Sequence, residues 1–269
     1  MTDQTAAHFL DLHHRDSPLL LPNPWDVGSA KVMASLGFEA LATTSAGHAG
    51  TLGRLDGGVT RDEALEHASM IVGATDLPVN ADLERCFADD PDGVAETIRL
   101  AKDAGLAGCS IEDHTGDGSN PIYDRVHAIA RVEAAAEAAR EGTVRLVLTA
   151  RCENLLHGRH DLDDTTERLQ AYQEAGADVV YAPGLVDAAD IERVVRSVDV
   201  PVNVLALPGV PPVAELGELG VARISVGSGF HLVGLGAVVT AAKELLTDGT
   251  YGFWRQAGAG IAVRDDAFG

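Results

Sequence analysis

The feature that most constrains this chain is a repeated local pattern in which an amphipathic segment ends at glycine and a short apolar run follows at once. Four copies are present: LGFEALATT, AGLAGCSIED, AGADVVYAP and LGVARISVG. Glycine often ends a helix because it adopts the left-handed backbone conformation without steric cost. Short apolar runs rich in β-branched residues are typical of buried strands. The pattern therefore predicts repeated helix-to-strand connections.

Four more apolar runs lack the preceding glycine but carry the same strand signature: SPLLLPNP, LPVNADLE, VRLVLTAR and VPVNVLAL. The eight runs together predict strands near residues 18–22, 39–44, 78–82, 107–111, 145–150, 178–182, 201–205 and 222–226. Between them, apolar residues recur three and four positions apart, which predicts helices over ranges that include 60–75, 90–104, 122–141 and 161–176.

Eight alternating strand and helix units with continuous apolar strands predict a closed parallel (β/α)₈ TIM barrel rather than an open doubly wound sheet. Such barrels commonly contain about 250 residues. The 269 residues of this chain therefore fit one domain spanning 1–269. After about residue 229, GLGAVVTAAKELL followed by YGFW predicts an additional C-terminal helical segment.

The composition bears on partners and on location. A net charge of -21 argues against binding to nucleic acid or to an anionic membrane, since both require a basic surface. The first residues, MTDQTAAHFLDLHHRD, lack the regions of a secretory signal, and we expect a cytoplasmic protein with no segment long and apolar enough to cross a bilayer. The three cysteines form no CxxC pair, so neither structural zinc nor a disulfide framework is expected.

Acidic residues follow two neighbouring strands of the predicted barrel. Asp82 and Glu84 leave the third strand and Glu112 leaves the fourth. The active site of such a barrel forms at the carboxyl ends of its strands, and clustered oxygen ligands suit Mg²⁺ or Mn²⁺. We therefore predict a metal site there, to which Asp56 in the LDGG turn contributes a further acid. The alternative is that all four are exposed loop acids in an acid-rich protein.

The fifth strand ends in Arg151, whose planar guanidinium suits a substrate carboxylate. The alternative is a structural salt bridge to Glu112 or Glu153. The turn after the second strand, Ser45-Ala46-Gly47, is small enough for a ligand to approach closely and presents backbone N–H groups to a carboxylate oxygen.

Further candidates lie next to these positions. His114, at the start of the loop after the fourth strand, is a candidate acid/base, with a solvent-facing loop histidine as the alternative. Trp25 in PNPWD is a candidate pocket wall. Cys86 and Cys152 lie near strand ends, where a thiol acid/base competes with simple core packing.

Across nearly its whole length the chain resembles the isocitrate lyase / phosphoenolpyruvate mutase superfamily. The matching pieces are PNPWD, TTSAG, DGG, ADLE, SIED and TAR. The resemblance implies a metal-assisted site at which an enolate of a pyruvate-like or oxaloacetate-like group forms. It implies that Asp82 binds Mg²⁺ directly, that Glu84, Glu112 and Asp56 hold metal-bound waters, and that Ser45 to Gly47 together with Arg151 grip the carboxylate of a 2-oxo acid.

The chain departs from the superfamily's lyases in three places. The loop after the fourth strand reads HTGDGSNPIYD and lacks the KRCGH-like motif with its acid/base cysteine. The sixth strand ends in YAPG where those lyases have an FPE-type motif. At the seventh strand, the substrate-binding asparagine is replaced near Leu205, and Asn203 lies two residues earlier. In mutases and hydrolases of phosphonopyruvate this loop carries an asparagine, a role that Asn120 could take, but the basic residue is missing.

These observations favour a Mg²⁺-dependent enzyme that acts on a small 2-oxo or 2-hydroxy carboxylic acid through an enolate. Cleavage of a C–C bond in oxaloacetate-like or substituted malate-like acids, by lyase, decarboxylase or hydrolase chemistry, is the primary hypothesis. The alternatives are a mutase or hydrolase that acts on a P–C bond and a non-catalytic 2-oxo acid binding protein. The resemblance also implies a homodimer or homotetramer with exchange of the C-terminal helix.

Overall fold

Eight parallel strands form the centre of the computed structural model, which describes residues 3–269. In chain order they are β1 (Leu19–Leu21), β2 (Leu41–Ala42), β3 (Val79–Asp82), β4 (Gly108–Glu112), β5 (Val147–Arg151), β6 (Val179–Tyr181), β7 (Val202–Leu205) and β8 (Arg223–Ser225). From β2 to β8 each strand pairs with the next one in the chain, and β8 pairs with β1. Between β1 and β2 the Ala42 N–H donates to Pro22 O over 3.0 Å. The (β/α)₈ TIM barrel expected from the sequence is confirmed, and its strands form a near-closed ring.

Helices alternate with the strands and surround them. The helices are α1 (Asp3–Asp11), α2 (Val27–Ser35), α3 (Ser45–Thr51), α4 (Arg61–Val72), α5 (Pro91–Asp103), α6 (Arg125–Arg140), α7 (Leu162–Glu174), α8 (Ala188–Ser197), α9 (Val213–Glu218), α10 (Gly229–Thr247) and α11 (Trp254–Phe268). A 3₁₀ turn, Leu12–His14, follows α1.

The starts of the surrounding helices are encoded locally. The Thr60 side chain accepts from the Glu63 N–H while the Glu63 carboxylate accepts from the Thr60 N–H, which is a capping box at the start of α4. Asp90 caps α5, in which proline occupies the first turn, and Asp161 caps α7. These caps fix where each helix begins after its strand.

Two apolar layers hold the barrel together. The outer layer lies between strands and helices and includes Leu41, Ile111 and Leu148, all at most 1% exposed. The inner layer contains Phe9 and Leu12 from the N-terminal segment packed with residues at the strand starts such as Val147 and Val179. Because this layer fills the barrel at the amino ends of the strands, the carboxyl ends remain available for a site.

The two C-terminal helices lie outside this core. α11 packs against α2, whereas His231 is the buried residue of α10. α10 has a mean hydropathy of 1.3 in a window that is only 6% buried, and its length and composition would suffice for a membrane span. The expectation that no segment is long and apolar enough is therefore wrong for α10, although one such helix is weak evidence of membrane insertion.

Candidate active site

A cavity of about 400 Å³ opens at the carboxyl ends of the strands. All four acids predicted from the sequence line it: Asp56, Asp82, Glu84 and Glu112. Ser45, Ala46, His114, Arg151 and Asn203 line it as well. These residues lie far apart in the sequence and meet because parallel strands end at the same rim of the barrel.

Arg151 is the centre of the site. Its Nη1 donates to Asp82 Oδ1 over 3.0 Å and lies 2.9 Å from Glu112 Oε1, and its Nε donates to Glu153 Oε1 over 2.8 Å. The guanidinium carbon lies 5.1 Å from the centroid of the Tyr181 ring. The structural salt bridge that was the alternative interpretation of Arg151 is therefore present. The Nη2 atom of Arg151 donates to none of these three carboxylates.

The turn after β3 has an unusual backbone. Glu84, Cys86 and Phe87 have φ angles of 50°, 57° and 54°, a region that residues other than glycine seldom adopt. The Glu84 carbonyl accepts from the Glu112 N–H over 3.0 Å, which joins this turn to the end of β4. The strained turn keeps the Glu84 side chain against the cavity, and such strain is often found at functional sites.

The acids that surround Arg151 outnumber it. Burial raises the pKa of Glu84 to about 7, and the neighbouring Asp82 and Asp56 contribute to the rise. Burial also raises the pKa of Asp56, with Asp82 as the next cause. For Glu112, burial raises the pKa well above its usual range although Arg151 opposes the change. The site therefore has an unmet requirement for positive charge.

The donor set fits Mg²⁺ in one arrangement. Across residues 3–269 no three histidine, cysteine or acidic side chains are placed to hold an ion together, since Arg151 holds Asp82 and Glu112. Mg²⁺ keeps several waters and takes only one or two protein carboxylates. Asp82 would be the direct ligand, and Glu84, Glu112 and Asp56 would hold metal-bound waters. Mg²⁺ bound in this way would supply the missing positive charge.

Two backbone N–H groups of the turn after β2 already donate to acceptors of the protein itself. The Ser45 N–H donates to Asp82 Oδ2 over 3.1 Å, and the Gly47 N–H donates to Thr44 Oγ1 over 3.2 Å. Gly47 does not border the cavity, because it packs under Trp25, where an added Cβ would come within 3.2 Å of the Trp25 Cβ. The prediction that Gly47 contacts a ligand is therefore not supported by its placement, and Ala46 is the remaining amide donor of the turn.

Asp113 follows Glu112 in the chain, but its role is structural. It is 2% exposed, accepts from Tyr172 Oη over 2.6 Å and from Arg168 Nη1 over 3.2 Å, and accepts from the Glu153 N–H over 2.8 Å. Glu153 in turn lines the cavity beside Arg151. This buried network fixes the backbone that carries Glu153, a site residue that the sequence suggested only as a salt-bridge partner.

His114 lines the cavity together with His157, which sequence reasoning missed. Their rings stack with centroids 4.1 Å apart, and burial lowers the pKa of both imidazoles. No motif marks His157, because its loop after β5 meets the loop after β4 only in the folded barrel. His114 is therefore half-buried at the cavity, whereas the alternative interpretation placed it on a loop facing solvent.

The loop after β4 places Asn120 away from the cavity. A bridge between His114 and Ile122 closes the loop, and the Thr115 N–H donates to Pro121 O over 2.8 Å. Asn120 lies at the exposed end of the loop that this pairing forms, so its predicted catalytic role is not supported by the structure.

Trp25, like Gly47 and Asn120, lies away from the cavity. Its ring packs edge-on against His231 at 5.5 Å and does not border the cavity, because the PNPWD segment turns outward toward α10. The cysteines are core residues: all three are buried, and burial raises the pKa of Cys86 to about 12. Asn203 does border the cavity, and its amide donates to Ser225 Oγ over 3.0 Å.

Comparison with known proteins agrees with the geometry. A family model described as phosphoenolpyruvate phosphomutase matches residues 9–246. A crystal structure from Burkholderia cenocepacia, of a protein provisionally described as a lyase/mutase, is 50% identical, with a TM-score of 0.92 over 94% of this chain and 91% of that one. An uncharacterised protein of Mycobacterium tuberculosis is 35% identical over 88% of both chains. The structure of a 2,3-dimethylmalate lyase is 27% identical, with a TM-score of 0.83 over 98% of both chains. The chain therefore belongs to the phosphoenolpyruvate mutase/isocitrate lyase superfamily.

Proposed function

We propose that the chain is a Mg²⁺-dependent enzyme that cleaves a C–C bond next to the 2-oxo or 2-hydroxy group of a small carboxylic acid. The observation that carries the proposal is the meeting of Asp82, Glu112 and Arg151 at the mouth of one cavity. Acids that require a cation and a guanidinium that binds a carboxylate are what an enolate-forming site needs. The similarity to a 2,3-dimethylmalate lyase supports substituted malates as a substrate class.

The chain's own residues hold the substrate. Nη2 of Arg151 is free to donate to the substrate carboxylate, and the Ala46 N–H approaches the same carboxylate from the turn after β2. Asp82 and the neighbouring acids would hold Mg²⁺, which polarises the 2-oxo group as a Lewis acid. Since Arg151 is itself fixed by Glu112 and Glu153, the carboxylate is bound in one orientation.

His114 is the candidate proton carrier. It begins the loop after β4 and borders the cavity, and its lowered pKa keeps the imidazole neutral at pH 7, able to accept a proton. The absence of a cysteine motif in this loop means that a true isocitrate or methylisocitrate lyase reaction is not proposed.

The test is an activity panel. The purified protein is assayed with oxaloacetate, substituted malates and phosphonopyruvate, each with Mg²⁺, with Mn²⁺ and after chelation. Metal-dependent cleavage of a malate or of oxaloacetate supports the proposal, and turnover of phosphonopyruvate alone supports the P–C alternative. Binding of oxalate by calorimetry without turnover of any acid would identify a binding protein and overturn the enzymatic proposal.

We also propose that a second copy of the chain covers α10. Several large apolar side chains of this helix are half or more exposed, including Leu232, Val233, Val238 and Leu246. Soluble proteins seldom leave such a surface open to water, and symmetric self-association is the usual way to bury it. The family match extends to residue 246, so α10 is part of the family's domain. The proposal predicts a homodimer or a homotetramer.

A further inference from the structure

The middle of the barrel interior contains a buried arginine outside the site already described. Arg223 is the first residue of β8 and is 3% exposed. Its Nε donates to Asn203 Oδ1 over 2.8 Å, its Nη2 donates to Thr149 Oγ1 over 3.0 Å, and its Nη1 lies 3.2 Å from His13 Nε2. Bulky branched residues usually fill the interior layers of a (β/α)₈ barrel. Packing alone therefore does not explain a guanidinium here.

No carboxylate compensates the charge of Arg223 among residues 3–269. The three side chains that it contacts are uncharged, since burial lowers the pKa of His13 to about 3. Burial lowers the pKa of Arg223 to about 9; Tyr181 opposes this change, and Arg151, which carries the same charge, adds to it. Arg223 is still a cation at neutral pH. Buried charges are normally paired, so the position has the electrostatics of an incomplete ion pair.

The guanidinium also borders open space. Arg223, Asn203 and Ser225 line the same cavity of about 400 Å³ whose mouth carries Asp82 and Arg151. A guanidinium has five N–H groups, and the contacts with Asn203, Thr149 and His13 use one on each nitrogen. One N–H therefore remains on each of the two terminal nitrogens.

We propose that Arg223 forms a binding site for a small monovalent anion at the floor of the cavity. The ligand is a carboxylate group or an ion of halide size, held by the free N–H groups of Arg223 with Asn203 and Ser225 beside it. Such an anion supplies the counter-charge that the described residues lack. It reaches the site in one of two ways, as a free ion or as part of the molecule that occupies the upper cavity.

The first experiment uses the metal-free protein in sodium HEPES, whose bulky anion carries a sulfonate and no carboxylate. Thermal unfolding is followed while this anion is replaced by chloride, formate or bromide at constant ionic strength. An anion that binds only the folded protein raises its unfolding temperature. We expect this rise for the wild type and for Arg99→Met, an exposed-arginine control. For Arg223→Met we expect at least a tenfold weaker response.

A wild-type measurement covers the case in which Arg223→Met does not fold. Crystals grown in sodium HEPES without any carboxylate are soaked in bromide, and the anomalous signal locates the ion. A bromide within hydrogen-bond distance of the Arg223 terminal nitrogens supports the proposal. An unfolding temperature that responds equally in wild type and Arg223→Met, or no bromide at Arg223, overturns it.

A competition arm distinguishes the two sources. If oxaloacetate with Mg²⁺ abolishes the chloride response while oxalate, which is two carbons long, does not, the anion is the distal carboxylate of the bound acid. If both acids bind and the chloride response persists, the anion is a free ion. Both outcomes support the anion site, and the halide measurements themselves require no turnover of any acid.

Discussion

The Arg151 guanidinium donates to Asp82 Oδ1 over 3.0 Å and thereby joins the carboxyl ends of β5 and β3 across the intervening β4. The proposed metal ligand and the proposed carboxylate-binding group are therefore in direct contact. A change at one is expected to disturb the other, and the variants below are chosen so that the two roles remain distinguishable.

Asp82→Asn tests the metal assignment. The variant keeps the shape of the side chain but removes the charge that binds Mg²⁺ directly, and we expect Mg²⁺ affinity measured by calorimetry to fall by roughly 100-fold. Asp62→Asn is the matched control, because the Asp62 side chain is 88% exposed on α4. Unchanged Mg²⁺ affinity in Asp82→Asn would show that the metal assignment is wrong.

Arg151→Lys tests the carboxylate clamp. Lysine keeps the charge but has no planar fork, so it cannot hold Glu112, Glu153 and a ligand carboxylate together. We expect oxalate affinity in the presence of Mg²⁺ to fall by about 10- to 100-fold. Arg99→Lys is the control, since Arg99 makes a bidentate contact with Glu141 on the surface. Equal oxalate affinity in both variants would rule out the clamp.

Asp113→Asn tests the structural role of the second acid in SIED. The change removes the buried carboxylate from Arg168, which keeps its ion pair with Asp164, and we expect the free energy of unfolding in urea to fall by about 1–3 kcal/mol. Tyr172→Phe removes one hydrogen bond to the same carboxylate and should cost only about 1 kcal/mol. Loss of Mg²⁺ binding by a fully folded Asp113→Asn would instead place this acid in the site.

His13→Gln tests the pH dependence of stability. The pKa of folded His13 is lowered to about 3 from 6.5, so below pH 6.5 the unfolded chain binds a proton that the folded chain does not. His13 therefore destabilises the protein as the pH falls from 6.5 toward 3, by about 2 kcal/mol at pH 5. Unfolding in urea at pH 7.5 and pH 5 should show a smaller loss for His13→Gln than for wild type. His8→Gln, at an exposed position of α1, should behave like wild type.

Val233→Glu tests the proposed self-association through α10. Val233 is 69% exposed in the single chain, and a buried glutamate in a contact between copies would be strongly unfavourable. We expect sedimentation to show a dimer or tetramer for wild type and smaller species for the variant. Val126→Glu, 78% exposed on α6, is the control that should keep the wild-type mass. A monomeric wild type would contradict the proposal.

Much of the site could be predicted because strand ends are visible in the sequence. Asp82, Glu112 and Arg151 each follow a run of apolar residues, and parallel strands bring such positions together. Glu84 was predicted from its spacing to Asp82, yet it reaches the cavity through a left-handed turn rather than by strand alternation. Trp25, Gly47 and Asn120 were misplaced because their side chains depend on loop conformation, which local sequence specifies weakly.

The sequence by itself determined the eight strand and helix units, their order and the carboxyl-end acids, because periodicity, caps and glycines act over a few residues. Only the tertiary structure decided which charges meet. Arg151 is held by three carboxylates from β3, β4 and the loop after β5, whereas Arg223 has none among the described residues. Charge pairing depends on distances between segments far apart in the chain, and closure of the barrel sets those distances.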